Sequence, residues 1–242
     1  MKLYTENITK SYRSRKVVKG ISIEVNQGEI VGLLGPNGAG KTTVLDLICG
    51  KTKASSGSIK FDGKELTKLK EHQIVHSGVG RKFQTPSVFE DLTVFENLEV
   101  SYPKGHSVMG ALAFKRDAEV VAAVEEVAKT IFLTDALNKS AASLSHGQKQ
   151  WLEIGMLLIQ KPALLMLDEP VAGMSVAERK KTAELLRVIT KDHTVLVIEH
   201  DMQFVGDIAD RVTVMHQGKV LSEGSIEHVK SDPKVIEVYL GH

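Results

Sequence analysis

Gly35-Pro36-Asn37-Gly38-Ala39-Gly40-Lys41-Thr42 puts three glycines, a lysine and a hydroxyl side chain in one short run. Glycines let consecutive backbone N–H groups turn inward on phosphate oxygens, and a helix beginning at the lysine adds partial positive charge. Lys41 is then the group for the β- and γ-phosphates, and Thr42 the oxygen ligand for Mg²⁺. Asn37, Ala39 and Thr43 lie in the same cradle. Well over a hundred positions later, Leu164-Leu165-Met166-Leu167 runs into Asp168-Glu169. A buried strand ending in two carboxylates can hold Mg²⁺ on the first, Asp168, and polarise an attacking water with the second, Glu169. Together the two stretches imply nucleotide binding and phosphoryl transfer to water.

These groups need elements to hold them. Ile30-Val31-Gly32-Leu33-Leu34 is an apolar run of the kind found in strands buried on both faces, and it leads into the glycine loop. Thr43 to Cys49 read as a helix, with Gly50 as its C-terminal cap. At the start of the chain, Lys2 to Thr5 and Ile21 to Val25 alternate with period two. A small hairpin, Ser58 to Phe61, turns at Asp62-Gly63. Val120, Val124, Val127, Ala128 and Ile131 make one apolar helical stripe. Val195 to Ile198 and Val212 to Met215 return to buried-strand character, separated from Leu164–Leu167 by a helix from about Ser175 to Lys191. Ser175 and Glu178 form a capping-box pair at that helix start. Strands alternating with helices imply a mainly parallel α/β sheet.

Composition sets bounds on the partners. The 242 residues carry a formal net charge of +1, with 42% hydrophobic and 25% charged residues, as in an ordinary globular protein. That charge argues against nucleic acid as a partner. One cysteine, Cys49, excludes an internal disulfide. The first residues lack the apolar run of a secretory signal. The richest apolar stretch, Leu152 to Leu167, is broken by Glu153, Gln160, Lys161 and Pro162, so a membrane role must come through a partner.

Leu144-Ser145-His146-Gly147-Gln148 resembles the signature motif of ABC ATPases, which reads Leu-Ser-Gly-Gly-Gln; His146 departs from it. The resemblance covers essentially the whole chain, and it implies further roles. Ser145, Gly147 and Gln148 would meet the γ-phosphate of an ATP held by an opposing chain. Gln84 would be the Q-loop glutamine, sensing Mg²⁺ and the water and linking to a membrane subunit. His200 would be the switch histidine on the γ-phosphate, and Tyr12 the aromatic stacked on adenine. The family commonly has Asp where Ser175 stands, in the loop that crosses the dimer interface.

The fold implied is a RecA-like P-loop ATPase core, residues 1–85 and 159–242, with an N-terminal antiparallel β-subdomain and an inserted α-helical subdomain at 86–158. Phe89, Leu92, Val94 and Phe95 would either dock membrane subunits or, for most of them, form the helical core. The partners implied are integral membrane permease subunits, a second ATPase chain (a heterodimer first, a homodimer in isolation) and, indirectly, an extracytoplasmic binding protein. The chain would sit peripherally on the cytoplasmic face of the membrane. Finer similarity points to importers of urea and of branched-chain amino acids. Leu144 to Gly155, Asp168 to Met174 and Val235 to Gly241 resemble the urea-type subunit in particular. Other classes are a non-transport ABC ATPase, disfavoured by the lack of a long coiled-coil insertion or a second ATPase half, a P-loop kinase, and an exporter.

Overall fold

The computed structural model describes residues 2–82, 88–103 and 116–240. Two sheets carry the strands. The first has β1 (Lys2–Tyr12) at its centre, pairing antiparallel with β2 (Arg15–Ile21), β3 (Glu24–Asn26) and β5 (Ser56–Phe61), and β5 continues to β6 (Lys64–Glu65). The opening strand is thus longer than the Lys2–Thr5 alternation suggests, because register shifts between Ile8 and Thr9 and between Lys10 and Ser11 interrupt its period. The β5–β6 turn has φ of 49° at Asp62 and 78° at Gly63, the two left-handed residues a type I′ hairpin needs.

The second sheet has the order β11-β10-β4-β9-β8-β7, with β4 at Ile30–Leu34, β7 at Val79–Lys82, β8 at Leu164–Asp168, β9 at Thr194–Glu199, β10 at Arg211–His216 and β11 at Lys219–Gly224. β10, β4, β9 and β8 run parallel, and β11 returns antiparallel. Every residue of β4, β8 and β9 is buried, as strands covered on both faces require. Helix α1 (Lys41–Ile48) packs its buried Val44, Leu45, Leu47 and Ile48 into the same core as Val31, Leu33, Met166, Leu196 and Ile198. The short helix α2 (Glu71–His76) adds Ile74 to it.

Contacts divide the chain into two compact units. One comprises residues 1–81, 163–170 and 189–242, and the other 82–162 and 171–188. The helical unit therefore takes in nearly all of the helix after β8, which the sequence division at 86–158 leaves with the core. It contains α3 (Val94–Ser101), α4 (Ala118–Thr130), α5 (His146–Leu158) and α6 (Val176–Ile189, of which 176–188 fall in this unit). Two contacts explain the grouping: the Trp151 indole N–H donates to Thr182 Oγ1 at 2.9 Å, and Ser145 Oγ donates to Glu178 at 3.0 Å. α4 starts at Asp117, whose side chain accepts from the Val120 N–H, and it buries Val120, Val124 and Ala128. α3, α4 and α5 meet at Gly155. A Cβ there would lie 2.5 Å from Ile131, 3.1 Å from Leu98 and 3.2 Å from Val127. Of the four apolar residues placed between docking and core, Val94 alone is fully buried, Leu92 and Phe95 are half-buried, and Phe89 is 50% exposed.

Candidate functional site

The sheet order explains why groups scattered along the chain converge. β4 lies between β10 and β9, and β8 lies next to β9, with Leu34 opposite Glu199 and Asp168 opposite Ile198. The C-terminal ends of β4, β8 and β9 therefore form one edge, the position where open parallel sheets bind ligands. The glycine loop leaves β4 there, Asp168 and Glu169 end β8 there, and His200 follows β9 there.

The loop backbone is tightly held. Gly35 has φ 153° and Gly40 φ 102°; a Cβ at Gly35 would stand 2.3 Å from the Met215 carbonyl oxygen. Gly38, φ 80°, faces open space. The Gly218 N–H donates to the Ala39 carbonyl at 2.9 Å, and the Val44 N–H donates to Gly40 at 3.0 Å as α1 begins. Ala39 is buried, Thr43 half-buried, and Asn37 and Thr42 exposed. Lys41 is 6% exposed and donates its ammonium to the carbonyls of Gly35 at 2.6 Å and Pro36 at 3.2 Å. Burial pulls the Lys41 ammonium below the usual lysine range against the opposing pull of Glu169, Asp168 and Glu199. A buried cation beside three carboxylates, hooked over the loop it belongs to, is placed to accept phosphate.

Asp168 is 1% exposed, and among the described residues its Oδ1 has no hydrogen-bond partner. Burial pushes its carboxyl above the usual aspartate range, helped by Glu169 and opposed by Arg81, the Thr42 hydroxyl and Lys41. A buried carboxylate oxygen left unpaired beside a threonine hydroxyl is the all-oxygen donor chemistry that suits Mg²⁺. Asp168, Thr42 and the phosphates would hold the ion.

Glu169 adopts φ 49°, an uncommon backbone for a residue with a side chain, and its N–H donates to the Ile198 carbonyl at 3.0 Å. That bond to β9 holds the turn. It leaves the Glu169 Oε1 3.7 Å from His200 Nδ1, whose imidazole also stands 3.8 Å from the buried Glu199.

Tyr12 ends β1 opposite Arg15, is 46% exposed, and lies under the Lys10 ammonium, 5.0 Å from the ring centroid. The partner strand of that hairpin reaches the glycine loop: a Cβ on Gly40 would lie 3.2 Å from the Val17 carbonyl. Gln84 lies outside the described residues.

Sequence reasoning passed over Arg81. Its buried guanidinium bonds Asp46 of α1 at 2.5 Å and stands 3.5 Å from Asp168, tying the first helix to the acidic strand. No spacing rule links these three positions, so no signal in the chain could have found them.

Ser145, Gly147 and Gln148 belong to the helical unit. Ser145 is the N-cap of α5: its Oγ accepts from the Gln148 N–H at 3.2 Å, and the Gln148 side chain accepts from the Ser145 N–H at 2.9 Å. The Gln148 side chain thus serves the helix start itself.

Comparison with known proteins identifies the family. A family model described as ABC transporter matches residues 18–172, and one described as branched-chain amino acid ATP-binding cassette transporter matches residues 219–242. The chain is 35% identical over 248 residues to the high-affinity branched-chain amino acid transport ATP-binding protein BraF of Pseudomonas aeruginosa, covering 99% of this chain and 97% of that one. It is 36% identical over 233 residues to LivG of Escherichia coli, another high-affinity branched-chain amino acid transport ATP-binding protein, covering 93% and 91%. A crystal structure of the ADP conformation of an ATP-binding cassette of an ABC transporter superposes with a TM-score of 0.88 at 34% identity over the full length of both chains. The chain belongs to the ABC transporter family, as an ATP-binding subunit whose ATPase activity powers transport.

Proposed function

We propose that this chain is the ATP-hydrolysing subunit of an importer of branched-chain amino acids. The observation that carries the hydrolytic part is the meeting of Lys41, Asp168, Glu169 and His200 on one edge of the parallel sheet. The glycine loop binds the phosphates through its N–H groups, and Lys41 leaves its two carbonyls for the β- and γ-phosphates. Thr42 and Asp168, with Gln84 as a further ligand, would hold Mg²⁺, which would supply neutralisation of phosphate charge. Glu169 orients and polarises a water for in-line attack on the γ-phosphorus, and His200, close beside it, contacts the γ-phosphate. The bond to the leaving β–γ bridging oxygen breaks, giving ADP and inorganic phosphate. Tyr12 stacks on adenine. Ser145 and Gly147, with Gln148 holding their helix start, meet the γ-phosphate bound by an opposing ATPase chain.

The cargo is proposed from the relatives' names and from the C-terminal match at 219–242. These favour branched-chain amino acids over urea, the cargo put first by the resemblance of Leu144–Gly155. A second reading as the urea-type subunit rests on that segment together with Asp168–Met174 and Val235–Gly241. The chain works peripherally at the cytoplasmic face, docked on permease subunits and fed by an extracytoplasmic binding protein. Among the described residues no helix is long and apolar enough to cross a membrane.

Uptake of labelled leucine and labelled urea by cells lacking the chain tests the proposal, with wild type or Glu169→Gln added back. Rescue of leucine uptake by wild type alone is expected. Rescue of urea uptake instead would transfer the assignment to the urea type, and rescue by Glu169→Gln would remove Glu169 from the mechanism.

A further inference from the structure

The signature serine is already engaged. Ser145 Oγ donates to Glu178 Oε1 at 3.0 Å while accepting from the Gln148 N–H. A hydroxyl has one proton to donate, so Ser145 has none left for a phosphate. The Glu178 carboxylate lies against the first turn of α5: a Cβ at Gly147 would come within 2.4 Å of Oε1. Its other oxygen accepts from the Ser175 N–H at 2.9 Å and the Ser175 Oγ at 2.8 Å. Hydrogen bonds from Ser175 hold the Glu178 carboxyl below the usual glutamate range against the opposing pull of burial, with Ser145 and His146 adding to the effect, so the group is anionic at neutral pH.

The two departures from the family pattern meet on this contact. Ser175 anchors Glu178, and His146 Nε2 donates to the Ala172 carbonyl at 3.0 Å, packing over Gly173. The loop from Val171 to Ser175 is therefore tied to the start of α5 at both ends, by a histidine and by a carboxylate.

We propose that Glu178 is a positioning residue that gates Ser145. In the open chain its carboxylate takes the serine proton donor and holds negative charge where the γ-phosphate must arrive. Closure requires Ser145 to pass its hydrogen bond from Glu178 to the phosphate, while Ser175 retains the other carboxylate oxygen. Glu178 thus raises the ATP concentration needed for productive closure. This inference rests on the reading of Ser145 as a γ-phosphate ligand.

The test is ATP turnover as a function of ATP concentration for wild type, Glu178→Gln, Ser145→Ala and the double variant, with binding of a fluorescent ATP analogue and thermal melting alongside. Removing the charge in Glu178→Gln is expected to lower the half-saturating ATP concentration about fivefold, the size of a solvent-screened charge interaction. Analogue affinity of the dilute chain stays unchanged, and the shift disappears in the Ser145→Ala background. If Glu178→Gln lowers the melting temperature without lowering the half-saturating concentration, Glu178 is a helix cap only and the gate is overturned. Glu178→Asp, which keeps the charge but draws it back from Ser145, reads the same hydrogen bond should the glutamine variant fold poorly; an unchanged half-saturating concentration there also overturns the gate. Unaltered turnover in Ser145→Ala would instead remove the phosphate role of Ser145, and with it the inference.

Discussion

Glu169 carries two marks of a working residue: a left-handed backbone and a side chain facing an imidazole across 3.7 Å. Under the proposed mechanism its carboxylate is the base for a water at the phosphate. Glu169→Gln should keep nucleotide affinity and reduce phosphate release about 10²- to 10⁴-fold, measured by single-turnover hydrolysis beside analogue binding. Gly35 is constrained for a steric reason. With φ 153° and the Met215 carbonyl 2.3 Å from any Cβ, Gly35→Ala must displace β10 or the loop. A loss of nucleotide affinity is expected together with a melting temperature lowered by the equivalent of about 1–3 kcal/mol. The glycine pattern and the acidic pair were legible in the chain because each is a short contiguous run of distinctive residue types. Arg81 against Asp168 and Glu178 against Ser145 were not, since each pair joins segments that only folding brings together.

Helix starts are the best-specified features at the scale of elements. Ser175 with Glu178 was readable as a cap three residues apart, and its hydrogen bonds occur as that spacing requires; Ser145 with Gln148, read from the sequence as phosphate contacts, makes the same reciprocal pair. Asp117 caps α4 by accepting from the Val120 N–H at 3.0 Å. Asp117→Ala should cost about 1 kcal/mol, and Asp117→Asn much less, when chemical denaturation midpoints are compared. Membership of α6 in the helical unit was not legible. In sequence it follows β8 and precedes β9, so alternation assigns it to the sheet. The tryptophan–threonine and serine–glutamate contacts assign it elsewhere.

At the scale of the molecule, a charge cluster closes the core at the end of β4 opposite the glycine loop. Arg211 at the start of β10 donates to both carboxylate oxygens of Glu29, at 2.9 and 3.2 Å, and also reaches Glu223 and the Glu24 carbonyl. Burial alone would raise the Glu29 carboxyl, but the Arg211 and Asn26 hydrogen bonds outweigh it and hold the group below its usual 4.5. A carboxylate lowered on folding stabilises fully above its unfolded value and loses that contribution as pH falls through the lower, folded value. The melting-temperature difference between wild type and Glu29→Gln should therefore be constant at neutral pH and shrink below about pH 4.5. By itself the sequence determined the glycine loop, the acidic strand end, the Ser175 helix cap and the hairpin turn, because each is encoded within a few contiguous residues. Tertiary structure alone decided that β9 lies between β4 and β8, bringing His200 to Glu169, and that Glu178 takes the Ser145 proton. Strand order and long-range side-chain pairs are set by how whole faces pack, which no local spacing encodes.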